Sequence, residues 1–204
     1  ELVSTSEEEG HKVIKLIPGV GYCGLDHYMR NELINSSFGI EEDTMSLFKQ
    51  TLSKHSVSYD PKYMIVRVTD NKKKVDMIHK VCDDLNISYK HYNSTQMDID
   101  LDEMAKKPLV STVIIISGML RMGKVIHKEH ISMVFEASTK NEKRKVDTGL
   151  QGLLGRVCGY SKDPNGFEIS VYVESSNIDE IKQYTSNYDT MNGPYCSNAM
   201  NTRE

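Results

Sequence analysis

The sequence has no basic surplus, no long apolar run, no closely spaced cysteine pair and no internal repeat, and each absence removes a class of protein. Its 25 Lys and Arg stand against 29 Asp and Glu, a formal charge of −4, so any contact with a nucleic-acid backbone has to come from a local cluster of cations. No apolar stretch approaches the ~18 residues of a membrane-spanning helix. The first ten residues, ELVSTSEEEG, are acidic and lack the basic-then-apolar layout of a signal peptide. Cys23, Cys82, Cys158 and Cys196 are scattered with no C-x-x-C pair, which argues against a zinc site and for buried thiols in a reducing compartment. No metal-ligating set and no membrane partner are expected.

What is present suffices for one domain with a real core: 204 residues, 38% hydrophobic and 26% charged. Residues 1–10 and 186–204 read as flexible tails, the latter polar and with little periodicity. Residues 11–60 read as a connector with a short strand at Val13–Ile17 and helices at Asp26–Asn35 and Glu42–Lys54, the second presenting Met45, Phe48 and Leu52 on one face. From 61 to 185 strands and helices alternate. Strands are expected at 63–69, 88–92, 112–117, 131–137 and 168–174, and helices at 71–85, 100–106, 147–160 and 178–184. TVIIIS at 112–117 is apolar on both faces, as a central parallel strand requires. The alternation predicts an α/β fold with a parallel sheet and right-handed crossovers.

Two glycine patterns suggest a nucleotide and neither has the context for one. VIKLIPGVGYCGLDHY, residues 13–28, holds G-x-G-x-x-G at Gly19, Gly21 and Gly24. A dinucleotide turn needs a following strand that ends in an acid roughly 20 residues on. Here the next convincing strand begins at Tyr63, Pro18 precedes the first glycine, and bulky Tyr22 sits inside the turn. The expectation is a glycine-rich loop with Tyr22 packed locally. TVIIISGMLRMGKV, residues 112–125, ends in G-x-x-x-x-G-K, but position 125 is Val where a P-loop has the hydroxyl that holds magnesium. The strand ISMVFEAS offers only Glu136 as a metal-side acid. Arg121 and Lys124 nonetheless stand near the carboxyl end of a strand, the edge where open parallel sheets bind ligands.

DTGLQGLLGRVCGY, residues 147–160, is the most informative stretch. As a helix it places Leu150, Leu153, Leu154, Val157 and Cys158 on one stripe and Gly152, Gly155 and Gly159 on the opposite one. Each glycine inside a helix costs roughly 1 kcal/mol against alanine, so three on one face predict a close approach to the backbone. Gln151 and Arg156 flank that face, and an arginine fork suits phosphate.

QGLLGRVCGY resembles motif VI of superfamily 2 helicases, closest to the L-L-G-R-x-C/T-G-Y form in helicases of phages and large DNA viruses. YMIVRVTDNKKKVDMIHKVCDDL resembles motif IV, and STVIIISGMLRMGKVI resembles motif V, in the order the family has them. The resemblance covers residues 61–175 and implies the second RecA-like domain of such a motor: a parallel RecA-like sheet with helices on both faces. It implies that Arg156 is an arginine finger acting on ATP and Mg2+ held mainly by a first RecA-like domain, with Gln151 as its helper. Gly118, Arg121, Gly123, Lys124 and Gly155 would line the nucleotide. Lys72, Lys73 and Lys74 would meet the phosphates of a nucleic acid, DNA ahead of RNA. Gln151 and Arg156 are five residues apart where the common form has four, and Tyr160 stands near the place of its last arginine. No G-x-x-x-x-G-K-[ST] and no D-E-x-[DH] box occurs. The chain alone is therefore expected to be inactive, an excised piece of a larger helicase, cytoplasmic or in the host cytoplasm or nucleus if viral. The competing readings are a non-catalytic α/β interaction domain and a stand-alone P-loop-like NTPase.

Overall fold

In a computed structural model, the structure describes residues 18–57, 59–69, 71–117, 126–138, 153–179 and 181–182. The expected tails at 1–10 and 186–204, the strand at Val13–Ile17 and the first part of the expected 147–160 helix lie outside the described residues.

Six strands form one sheet in the order β2-β8-β6-β3-β5-β4. They are β2 (Ile34–Ser37), β3 (Tyr63–Val68), β4 (Ser88–Tyr92), β5 (Thr112–Ser117), β6 (Ile131–Glu136) and β8 (Ser170–Glu174). Every neighbouring pair is parallel, so the architecture is an open α/β sheet of RecA-like kind. A separate ribbon pairs β1 (Tyr22–Cys23) with β7 (Gly159–Tyr160) antiparallel.

Successive strand residues point to opposite faces, and both faces are covered. On one side Met64, Val66, Val113, Ile115, Met133 and Phe135 pack under α2 (Met45–His55) and α3 (Lys72–Asp84). These helices supply Phe48, Leu52, Ile78, Val81 and Cys82, spaced three or four apart as an amphipathic stripe should be. On the other side Ile65, Ile114, Ile116, Val134, Val171 and Val173 pack under shorter pieces. Those are α1 (Leu25–Arg30), the 3-10 turn Leu101–Ala105, α4 (Gly155–Val157) and a helical segment at 175–179.

Two expected helices are cut short, the first by a local closure and the second by contacts with a distant part of the chain. The helix expected over Asp26–Asn35 stops at Arg30. Glu32 adopts φ +55°, and Leu33 N–H bonds Tyr28 O at 2.9 Å while Glu32 N–H bonds Met29 O at 3.2 Å. This is a Schellman closure made without glycine, and the chain then enters the sheet as β2. The expected 11–60 connector thus supplies an edge strand, with Ile34 opposite Val171. The helix expected over 147–160 ends at Val157, and Cys158 is extended at φ −67°, ψ 143°. The Val157 carbonyl accepts a buried hydrogen bond from Tyr28 Oη at 2.7 Å, and Gly159 pairs with Cys23 in the ribbon. Gly155 and Gly159 therefore do not share a helical face.

Candidate functional site at the carboxyl-terminal edge

The carboxyl ends of β3 and β6 carry the site. Arg67 is the one long polar side chain in an otherwise apolar β3, and it stands opposite Glu136 in the register. Its Nη1 donates to Glu136 Oε1 at 3.2 Å, with the Arg67 side chain 25% and that of Glu136 5% exposed. A buried carboxylate needs such a partner, so Glu136 is an ion-paired strand end. Ser37 at the end of β2 and Ser138 after β6 exchange a hydroxyl contact at 3.1 Å on the same edge.

Arg156 projects from α4, which is anchored by the fully buried Leu154 and Val157 on either side of it. Its side chain is half-buried. Burial, and then repulsion from the nearby Arg67 guanidinium, lower its pKa from the ordinary arginine value. Two guanidinium groups thus share one end of the sheet with one buried carboxylate between strands. An arginine remains charged under any such shift. Arg156 is half-buried rather than exposed. Gly155, immediately before it, is exposed.

The lysines of α3 stand at the same edge but under the opposite face. Asn71 caps the helix by accepting from Lys74 N–H at 3.3 Å. Lys73 Nζ lies 2.9 Å from Glu42 and Lys74 Nζ 3.5 Å from Glu41. Glu42 is held below the usual carboxylate range by its hydrogen bond and charge contact with Lys73, and Lys73 is raised by the same pair. A cleft of about 480 Å³ between the two helix starts is lined by Ile40, Glu41, Glu42, Asp43, Asn71, Lys73, Lys74 and Met77. Two of the three lysines expected at nucleic-acid phosphates are therefore matched by the protein's own acids, and Lys72 is exposed. Gln151, Gly118, Arg121, Gly123 and Lys124 lie outside the described residues.

The G-x-G-x-x-G segment folds as the loop expected of it. Gly19 to Tyr22 make a turn closed by Tyr22 N–H on Gly19 O at 3.3 Å, with Gly21 at φ +85°. Strand β1 lies within the pattern and pairs with β7, outside the parallel sheet. Among the described residues no three His, Cys, Asp or Glu side chains are grouped to hold a metal ion, and no helix is long and apolar enough to cross a membrane. Of the described cysteines, Cys23 and Cys82 are buried and Cys158 half-buried, all as free thiols. Arg67 was not singled out by sequence, although a lone arginine inside YMIVRVT is a readable signal for a strand-end charge.

No protein-family model matches the chain. It is 26% identical over 203 aligned positions to an uncharacterized protein of Acanthamoeba polyphaga mimivirus, an alignment covering 91% of this chain and 50% of that protein. The chain thus spans about half the length of this relative.

Proposed function

We propose that the chain is the second motor domain of an ATP-dependent nucleic-acid helicase of superfamily 2, with Arg156 as its arginine finger. The observation that supports this most is the place of Arg156: a guanidinium seated on α4 near the carboxyl end of β3, beside Arg67. Ligands of open parallel sheets bind outside that edge. The exposed Gly155 leaves room for a phosphate chain against the turn. ATP and Mg2+, held mainly by a first RecA-like domain, supply the γ-phosphoryl group and its metal. Arg156 then meets the negative charge that builds on the equatorial oxygens, where a preorganised donor is worth far more than in water. Burial of the arginine stem limits the freedom of the fork before the phosphate arrives. Gln151 helps by resemblance, and the segment holding Gly118, Arg121, Gly123 and Lys124 couples nucleotide to strand. The strand is DNA ahead of RNA, and the setting is cytoplasm, or host cytoplasm or nucleus. The unmatched half of the mimivirus relative has room for a first motor domain.

The test is steady-state ATP turnover of the full-length parent protein with single-stranded nucleic acid present. Arg156→Ala is expected to cut turnover by ~10²-fold or more, with little change in KM for ATP. Arg156→Lys should rescue little, since an ammonium lacks the planar fork. The melting curve should stay near that of the wild type. Near-normal turnover in Arg156→Ala, unfolding of the variant, or robust turnover by this chain alone would each overturn the assignment.

A further inference from the structure

We propose that the β1–β7 ribbon is a stacking platform for single-stranded nucleic acid, with Tyr22 and Tyr160 meeting bases and Lys128 and Lys162 meeting phosphates. The proposal rests on the nucleic-acid part of the functional reading above and gives it a surface away from α3. It starts from the three glycines that fail as a dinucleotide turn, because all three serve the two tyrosines. A Cβ at Gly19 would stand 3.5 Å from the Tyr160 ring, and Gly19 N–H donates to Tyr160 Oη at 3.2 Å. Gly21, at φ +85°, turns the chain so that its carbonyl accepts from Ser161 N–H at 2.9 Å. A Cβ at Gly24 would come within 2.9 Å of Tyr22 Cε1, so any side chain there would displace the ring.

Such glycines cost backbone entropy, and a protein usually recovers that cost by burying what they seat. Here the seated groups are left partly exposed. Tyr22 is 39% and Tyr160 62% exposed, and Val20 at the tip of the turn is fully exposed. The rings meet edge to face, with centroids 5.2 Å apart and planes at 64°. They are aromatic surfaces fixed before any ligand arrives.

The charge beside them fits a phosphate backbone. The Lys128 side chain lies over Gly159, with Nζ 3.1 Å and Cδ 3.6 Å from where a Cβ would stand. This sets its ammonium beside the β7 backbone, one residue before Tyr160. Its field is felt at the Cys158 thiol, where it opposes the burial that pushes that thiol up to about 11. Lys162 is exposed two residues past Tyr160. Its neighbour Asp163 is occupied by Asn165 N–H at 2.8 Å. Among the described residues neither Lys128 nor Lys162 is in an ion pair, unlike Lys73 and Lys74. Bases stack on aromatic rings with little regard to sequence, and flanking cations track the backbone.

The experiment is a fluorescence-anisotropy titration of the 204-residue chain with labelled 20-mers of oligo-dT and oligo-rU across a salt series. The expected result is weak, salt-sensitive binding. Tyr22→Ala/Tyr160→Ala should lower affinity about 10-fold or more with the salt slope unchanged. Lys128→Gln/Lys162→Gln should flatten the slope by roughly 1.4, two single-strand phosphate contacts. Tyr22→Phe keeps the ring and should bind like the wild type, which separates stacking from mere loss of fold; circular dichroism melts accompany each variant. Absence of binding by the wild type at low salt overturns the proposal. So does a tyrosine double variant that melts normally and binds normally. Self-association of the chain that the tyrosine variant abolishes, with nucleic-acid affinity untouched, makes the ribbon a protein interface and also overturns it. The Arg156→Ala turnover assay decides the motor reading independently of all these outcomes.

Discussion

The two faces of the sheet are covered in different ways. Under one lie α2 and α3, regular helices of 11 and 13 residues. Over the other lie, among the described residues, α1 with six residues, a 3-10 turn with five and α4 with three. The regular face has the aromatic packing: Phe135 meets Phe38, Phe48 and Tyr172 at centroid distances of 5.0, 5.5 and 5.4 Å. The irregular face has the side chains with somewhere to reach. Arg156 issues from α4, and Tyr22 and Tyr160 from the β1–β7 ribbon, where a helix end or turn aims a group that a continuous helix would leave along its flank. A long amphipathic helix stabilises, and a broken one positions.

That contrast predicts different damage on the two sides. Phe135→Ala removes a fully buried ring from the regular face. It is expected to cost about 3–5 kcal/mol, read as one shifted cooperative transition in urea. On the irregular face, Tyr28→Phe leaves the buried Val157 carbonyl without the 2.7 Å bond it accepts, a loss of about 1–3 kcal/mol. Its mark should be faster amide exchange around 153–161 with α2 and α3 still protected. Exchange that rises equally on both sides would break the comparison.

The smallest effect comes from pH, and it acts on the regular face. His55, at the end of α2, meets Tyr172 Oη at 3.1 Å, and burial pulls its pKa from 6.5 down to about 4. The fold favours the neutral ring. Its contribution is complete above pH 6.5 and drains as the pH falls from 6.5 toward 4. His79 is lowered too, by burial first and then by His91, and acts in the same sense. Melting temperature should decline through that window by several degrees, and His55→Gln should flatten the decline.

Legibility in the sequence divides along the same line. α2, α3 and all but one of the sheet's strands announce themselves by apolar period, so their expected bounds fall within three residues of those observed. The termination of α3 is readable as well, since Asn86 takes φ +53° and asparagine tolerates that region. Glu32 does the same for α1, and nothing about a glutamate forecasts it. β2 reads INSS, with no β-branched run, and becomes a strand because β8 offers it an edge. The stop after Val157 depends on Tyr28, a residue far away in the chain. Arg156 was legible as a residue type and an expected neighbour of phosphate. Its half-buried place beside Arg67 depends on which strands end together, and no local pattern carries that. The pairing of Tyr22 with Tyr160 was hidden for the same reason.

β2 has a consequence for how the molecule assembles. Ile34 finds its partner at Val171, across most of the described chain, whereas β3, β4 and β5 close on one another over short connections. The entropy of bringing distant segments together is met before the pairing rewards it. β3, β4 and β5, with α3 between them, are therefore expected to set first. The first strand of the six-stranded sheet waits for its last to be laid down. During synthesis an early stretch of backbone, Ile34–Ser37, remains without its ladder until residues 170–174 have been made. Completion of the sheet thus waits on β8, which gives β2 its ladder.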